Sequence, residues 1–250
     1  MSSPLIIGHR GASAVAPENT LTAFRLAIEE NADGVEFDVR LTKDRVPVVI
    51  HDDNLRRTGG VNGLVAELSL KELKAIDVGS WKDPAKFRNE RVPTLVELFE
   101  LFEGSSSTLY LEMKSEPTQR EALARVCCDA LSQTPLRRQV IVECFDLAGI
   151  ELVKAIDAGI KTAALFEPTL RNTPLASSAK RMIDKALAVR ADEIALHHRL
   201  ANARSVEMAQ SANLNVVVWT VDDPSWISRA TSQAIKALIT NNPSIMTQHR

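Results

Sequence analysis

The stretch Gly34-Val35-Glu36-Phe37-Asp38-Val39-Arg40-Leu41-Thr42-Lys43-Asp44-Arg45-Val46-Pro47-Val48-Val49-Ile50-His51 decides how the rest of the chain is read. In Gly34–Val39 a period of two puts Val35, Phe37 and Val39 on one face and Glu36 and Asp38 on the other, which is a strand pattern in residues that favour strands. Strand-like sequence flanks it on both sides, so both faces are expected to be buried. Two carboxylates about 7 Å apart on a buried face repel and lose hydration, at several kcal/mol each unless something cationic compensates. A second strand pattern, Val46–Ile50, follows after only Arg40-Leu41-Thr42-Lys43-Asp44-Arg45. That is too short for a parallel crossover, so the strand must return antiparallel, turning at Lys43-Asp44. The turn is expected to bring His51 level with Glu36.

Working outward, further short apolar runs read as strands: Leu5–Gly8, Thr108–Glu112, Val140–Cys144, Thr162–Leu165, Glu193–Leu196, Val216–Trp219 and Ala237–Ile239. Helical patterns lie between most of them. Asn19 is expected to cap a helix over Thr20–Glu30, and Ser69/Glu72, Thr94/Glu97 and Thr118/Glu121 read as capping boxes. Asp223 before Pro224 reads as an N-cap followed by the first helical residue. Strand and helix alternating along a whole chain imply a parallel sheet, open or closed. With one strand assigned to the hairpin, the remainder matches the eight of a (β/α)8 barrel. The fold expected is therefore α/β, a modified TIM barrel forming a single domain over residues 1–250. Residues 52–92 break the rhythm and are expected to form a small insertion subdomain after the third strand, capping the barrel mouth. An open doubly wound sheet is the competing fold, but no Gly-rich strand-to-helix phosphate loop supports it.

The bulk properties narrow the function classes. The chain has 250 residues, 45% of them hydrophobic, with 30 basic and 32 acidic side chains for a net charge of -2. That length suits one large core. Near-neutral charge argues against a nucleic-acid partner. No apolar run approaches the roughly 18 residues of a membrane span, so no stable membrane association is expected. Three cysteines (Cys127, Cys128, Cys144) and no leader-like N-terminus point to a reduced, cytoplasmic setting. The cysteines themselves read as inert.

In a parallel barrel the activity sits where the strands end at the C-terminal mouth. Here His9-Arg10-Gly11 closes the first strand, Glu36 and Asp38 lie near the end of the second, and His51-Asp52 follows the third. Leu109-Tyr110-Leu111-Glu112-Met113-Lys114 repeats the earlier alternation, with Tyr110, Glu112 and Lys114 on one face. Glu36, Asp38 and Glu112 make a plausible all-oxygen set for a divalent cation, Mg2+ or Ca2+ rather than zinc. Two histidines beside such a site suit a general acid and a general base. Arg10 and Lys114 add positive charge for an anionic substrate, and a phosphodiester needs this combination of parts.

His9-Arg10-Gly11, Pro17-Glu18-Asn19-Thr20, Glu36-Phe37-Asp38-Val39, His51-Asp52 and Leu111-Glu112-Met113-Lys114 together resemble the glycerophosphodiester phosphodiesterases, in particular the compact cytosolic bacterial members. Asp53-Asn54-Leu55-Arg56-Arg57-Thr58, Val78-Gly79-Ser80-Trp81, Val92-Pro93-Thr94-Leu95 and Val218-Trp219-Thr220-Val221 extend the resemblance over nearly the whole chain. It implies a modified TIM barrel with an insertion after the His-Asp motif. It also implies metal-dependent hydrolysis of glycerophosphodiesters, such as glycerophosphocholine and glycerophosphoethanolamine, to glycerol 3-phosphate and an alcohol. By the same resemblance Glu36, Asp38 and Glu112 hold the metal, His9 and His51 are the acid/base pair, and Arg10 and Lys114 grip the phosphate. The implied route passes through a cyclic phosphate, with His9 as base and His51 as acid in the first step.

Other residues keep two readings at this level. Trp219 is either core or a wall of the glycerol pocket. Of His197 and His198 only one can face inward on a strand. Cys144-Phe145 stands where the family often has Ser-Phe, and Glu143 just before it reads as either an extra mouth carboxylate or a surface charge. Asn241 stands where the family commonly has Asp, and reads as a structural substitution. Glu18-Asn19-Thr20 reads as capping and loop bracing. Two other function classes are compatible with the parts: a related phosphodiesterase acting on lysophospholipids, and a non-catalytic barrel binding a phosphate ligand.

Overall fold

The computed structural model describes residues 3–114, 116–169 and 176–250. Its strands are β1 (Leu5–His9), β2 (Gly34–Leu41), β3 (Pro47–Val49), β4 (Thr108–Met113), β5 (Val140–Cys144), β6 (Lys161–Phe166), β7 (Glu193–His197), β8 (Asn215–Trp219) and β9 (Ala237–Thr240). All but β3 pair in parallel, and β1 pairs with both β2 and β9, so the sheet closes on itself as a TIM barrel. An open doubly wound sheet is thereby excluded. After β1 comes α1 (Leu21–Glu29); α2 (Arg56–Gly59), α3 (Leu70–Lys74) and α4 (Leu95–Phe102) lie between β3 and β4. Each later strand is followed by one helix: α5 (Arg120–Ser132), α6 (Leu147–Ile156), α7 (Ala176–Ala188), α8 (Ala203–Ser211), α9 (Ser225–Ser232) and α10 (Pro243–Gln248).

The hairpin is as the short connection requires. β3 runs antiparallel along β2, with Val39 opposite Val49 and Leu41 opposite Pro47. It takes the edge of β2 just beyond the point where β1 stops, since β1 ends with His9 opposite Glu36. Arg45, at φ 61°, completes the turn. One detail differs from expectation. The Ile50 N–H donates to the Asp38 carbonyl at 2.9 Å, so His51 leaves the strand beside Asp38 rather than level with Glu36.

Alternation sorts the strand residues into two cores. Val35, Phe37, Val39, Leu109, Leu111 and Met113 face the helices, while Ile7, Tyr110, Ile141, Ala163, Leu165, Ala195, Val217, Ala237 and Ile239 fill the barrel. Within that inner cluster β2 contributes nothing apolar; its barrel-facing positions are Glu36 and Asp38, exposed by only 2% and 0%. At the opposite end of the barrel the buried Glu193 carboxylate accepts from the Tyr110 hydroxyl (3.0 Å) and pairs with Lys236. A third cluster, Val48, Ile50, Leu55, Val65, Leu73, Val78 and Val92, packs the segment between β3 and α4 onto the hairpin.

Of the five helix starts read from sequence, two hold and three differ. The boxes at Ser69/Glu72 and Thr94/Glu97 both form. Thr20, not Asn19, caps α1, its hydroxyl accepting from the Ala23 N–H at 3.2 Å. Thr118/Glu121 forms no box: Gln119 occupies the cap position of α5 without a side-chain bond, and Glu121 pairs with Arg125. The α9 helix begins one residue later than expected, after Pro224, although Asp223 still accepts from the Ser225 N–H. We expect Thr94→Ala to cost about 1 kcal/mol in a urea melt, the usual loss of an N-cap. An unchanged midpoint would show that tertiary packing alone holds α4.

Candidate active site

The strand ends at the C-terminal mouth enclose a cavity of about 460 Å³ lined by His9, Arg10, Glu36, His51, Glu112, Lys114, Glu143, Phe145, Leu165, Glu167, Trp219 and Ile239. Of the residues that the sequence assigns to the metal, the acid/base pair or the phosphate, only Asp38 lies outside this lining; it is fully buried.

The turn after β1 does most to shape the rim. Arg10 and Gly11 both adopt left-handed backbone, at φ 55° and 82°. A Cβ on Gly11 would stand 2.5 Å from the Ala23 carbonyl carbon, so only glycine lets the loop lie this close to α1. The turn aims the Arg10 N–H at Glu36 Oε2 (3.0 Å), and the guanidinium reaches Asp38 at 3.2 Å and Glu18 at 2.7 Å.

The carboxylates fall into two groups. Asp38 is enclosed by cations and donors: Arg10 Nε, Lys114 Nζ (3.2 Å) and the Asn19 side-chain amide (2.7 Å). Although burial opposes its charge, Arg10, Lys114 and His51 hold its pKa well below the usual carboxylate range. The left-handed turn at Asn19 (φ 58°) is what brings its amide to Asp38, a bracing role that displaces it from the helix cap. Glu36, Glu112 and Glu143 make the second group, with one oxygen of each lying within 4.8 Å of the others. Burial raises all three, and neighbouring carboxylates add to it, Asp38 foremost for Glu36 and Glu112 and Glu112 foremost for Glu143: Glu36 and Glu143 lie well above the ordinary value, Glu112 at about 7 against the opposing pull of Lys114. Lys114 spans the two groups, 2.6 Å from Glu112 and 3.2 Å from Asp38.

The donor set fits a hard divalent cation. Buried Glu143 Oε2 lacks a hydrogen-bond partner, and all-oxygen carboxylate ligation suits magnesium or calcium. Glu143 is therefore not a surface charge. It is 1% exposed and lines the cavity beside Glu112, its register partner across β4 and β5.

Each histidine is held at Nδ1 by an oxygen. His9 Nδ1 lies 2.7 Å from Asn241 Oδ1, and the Asn241 amide nitrogen donates to Asp222 at 2.8 Å. That second bond commits the Asn241 oxygen to His9, so His9 carries its proton on Nδ1 and leaves Nε2 to the cavity, 3.8 Å from Glu36. Burial, then neighbouring Arg10, push His9 down to about 4, so the ring is neutral near pH 7. His51 Nδ1 is 2.7 Å from the Asp52 carboxylate. Burial lowers His51 as well, with Lys114 and Arg10 adding to the effect and Asp38 and Asp52 opposing it.

A belt of ion pairs joins the two histidine turns. Glu18 binds Arg10 and Arg57; Arg57 in turn binds Asp52 at 2.8 Å, and Asp52 holds His51. Glu18 and Arg57 had only a bracing role, or none, in the sequence reading. Asn241 and Asp222 lie too far along the chain from His9 for spacing to reveal them. Trp219 meets Phe145 edge-on at 5.5 Å and His197 edge-on at 5.1 Å, so it walls the cavity as well as packing against the barrel. His198 turns away, its Nδ1 against the Thr220 carbonyl at 3.0 Å. Cys144 is buried with its thiol on the Met113 carbonyl, and burial pushes its pKa up to about 12, so it is unreactive.

Comparisons with known proteins show the family. The family model described as the glycerophosphoryl diester phosphodiesterase family matches residues 9–245. A glycerophosphodiester phosphodiesterase of Caldanaerobacter subterraneus subsp. tengcongensis is 32% identical over 244 residues, covering 97% of this chain and 96% of the relative. YhdW of Bacillus subtilis (strain 168) is 33% identical over 241 residues, 96% of each chain. Among solved structures, an Oleispira antarctica phosphodiesterase in complex with the product sn-glycerol-3-phosphate superposes with a TM-score of 0.88 at 27% identity, covering 99% of this chain and 96% of that one. Barrel, site and relatives lead to one conclusion: this chain belongs to the glycerophosphoryl diester phosphodiesterase family.

Proposed function

We propose that the chain hydrolyses small glycerophosphodiesters, such as glycerophosphocholine, to glycerol 3-phosphate and an alcohol, with His9 and His51 as its acid/base pair. The observation that carries the reading is that both histidines, Arg10, Lys114 and buried carboxylates line one cavity. The Oleispira relative, whose complex contains sn-glycerol-3-phosphate, supports a substrate with that moiety. Glu36, Asp38 and Glu112 would hold the divalent cation, magnesium or calcium. When bound, the cation supplies charge that neutralises phosphate oxygens and favours attack at phosphorus.

The chain's own groups divide the work. Arg10 and Lys114 bind the phosphate and keep it over the carboxylates. Neutral His9, with Nε2 free, accepts the proton of the glycerol 2-hydroxyl as that oxygen attacks phosphorus. His51, backed by the Asp52 carboxylate, gives a proton to the departing alkoxide. A cyclic phosphate and the free alcohol result. The roles then reverse: His51 takes a proton from water as it opens the ring, and His9 returns one to the 2-oxygen. Residues 52–92 act as an insertion bordering the mouth, supported by their own packed cluster and by the Arg57–Asp52 contact with the His51 turn. Among the described residues no helix is long and apolar enough to cross a membrane.

The test is enzyme-coupled detection of glycerol 3-phosphate released from glycerophosphocholine, before and after EDTA, then with Mg2+ or Ca2+ restored. Turnover should vanish on chelation and return with the ion. Undiminished turnover after thorough chelation would remove the metal from the reading, and choline release from lysophosphatidylcholine, with no glycerol 3-phosphate formed from glycerophosphocholine, would redirect it to lysophospholipids.

A further inference from the structure

The structure assigns Glu143 a place as a direct ligand of the divalent cation, beside Glu36 and Glu112, making this a site with one carboxylate more than the three read from sequence. The inference rests on the metal reading above and goes beyond it. β5 lies next to β4 with Glu143 in register with Glu112, so the two side chains project side by side into the barrel mouth. Like charges directly opposite one another across strands are destabilising unless a cation lies between them. One oxygen from each of Glu36, Glu112 and Glu143 falls within 4.8 Å of the others, a spacing at which a single ion contacts all three. Glu143 Oε2 is buried and unpartnered, although the residue lines the cavity.

Lys114 does not meet this need. Its ammonium is engaged by Glu112 and Asp38. Arg10 is likewise committed to Asp38 and Glu18. With Glu36, Asp38, Glu112 and Glu143 ionised against Arg10 and Lys114, the cluster carries two negative charges in excess, which one divalent cation balances. A larger carboxylate set also favours an ion that takes six to eight oxygens, so calcium should bind more tightly than magnesium.

The experiment is calcium and magnesium titration by calorimetry on the full chain, paired with melting temperatures with and without ion, for wild type, E143Q, E143D and E36Q. Wild type should bind one calcium per chain. E143Q should weaken calcium binding at least tenfold, E143D less, and E36Q at least as much as E143Q. E143Q should also gain less in melting temperature than wild type when calcium is added. Wild-type calcium affinity in a folded E143Q, with binding lost in E36Q, would overturn the assignment while leaving the metal reading intact. No binding by wild type would overturn both. If E143Q fails to fold, E143D decides: wild-type affinity there refutes a direct ligand whose reach has been shortened.

Discussion

His9→Ala should lower kcat/KM on glycerophosphocholine about 10³-fold, within the range that general acid–base groups contribute, without shifting the melting temperature by more than a few degrees. That is roughly 4 kcal/mol of transition-state stabilisation. His51→Ala should fall comparably on the same substrate, because an alkyl alkoxide leaves poorly without a proton. The two variants should separate on the p-nitrophenyl ester of glycerol phosphate, whose leaving group departs unprotonated. There His51→Ala should recover most of its activity relative to wild type, while His9→Ala remains impaired. The asymmetry comes from the partners. His9 is held by a neutral amide committed to Asp222, and His51 is held by a carboxylate that favours the imidazolium. Recovery of His9→Ala on the aryl ester instead would exchange the two roles, and equal turnover by all three proteins would dismiss both histidines.

What sequence reveals and conceals here follows a physical line. Alternation in Gly34–Val39 and Leu109–Lys114 is local and obligatory, so it announced which carboxylates face the barrel. The hairpin was equally local, since chain reach alone forbids a parallel return in so few residues. Glu143 was ambiguous because its meaning lies in the lateral pairing of β5 with β4, which no period within Val140–Cys144 encodes. Asn241 meets His9 only because the barrel closes through β1 and β9. Asn19 departs from its capping pattern for the opposite reason. Its local capping propensity was real, but a left-handed turn spends its amide on Asp38 and leaves the cap to Thr20. Capping rules describe helix ends competing with water; they give way where a buried carboxylate bids for the same donor.

Gly34→Ala should be the most damaging small substitution in the barrel, costing on the order of 3 kcal/mol in a denaturant melt. A Cβ at Gly34 would sit 1.8 Å from the Thr108 carbonyl oxygen and 2.7 Å from its carbon. The clash is with backbone, so no side-chain rotation relieves it. Gly34 is also where β2 meets two neighbours at once, opposite Ile7 of β1 and Thr108 of β4. From that point the β2–β4 register runs on to place Asp38 opposite Glu112. Forcing the strands apart at Gly34 therefore strains the alignment that lets Lys114 bridge Asp38 and Glu112. Whatever folded protein remains should bind calcium more weakly than wild type, although the substitution touches no ligand. Gly104→Ala, where a Cβ meets nothing within 4 Å but the backbone is left-handed at φ 78°, supplies the comparison. It should lose stability of about 1 kcal/mol through backbone strain alone and keep its metal affinity. If Gly34→Ala melts with Gly104→Ala and binds calcium like wild type, close approach at Gly34 does not set the register, and the positioning of the carboxylates must come from elsewhere in the barrel.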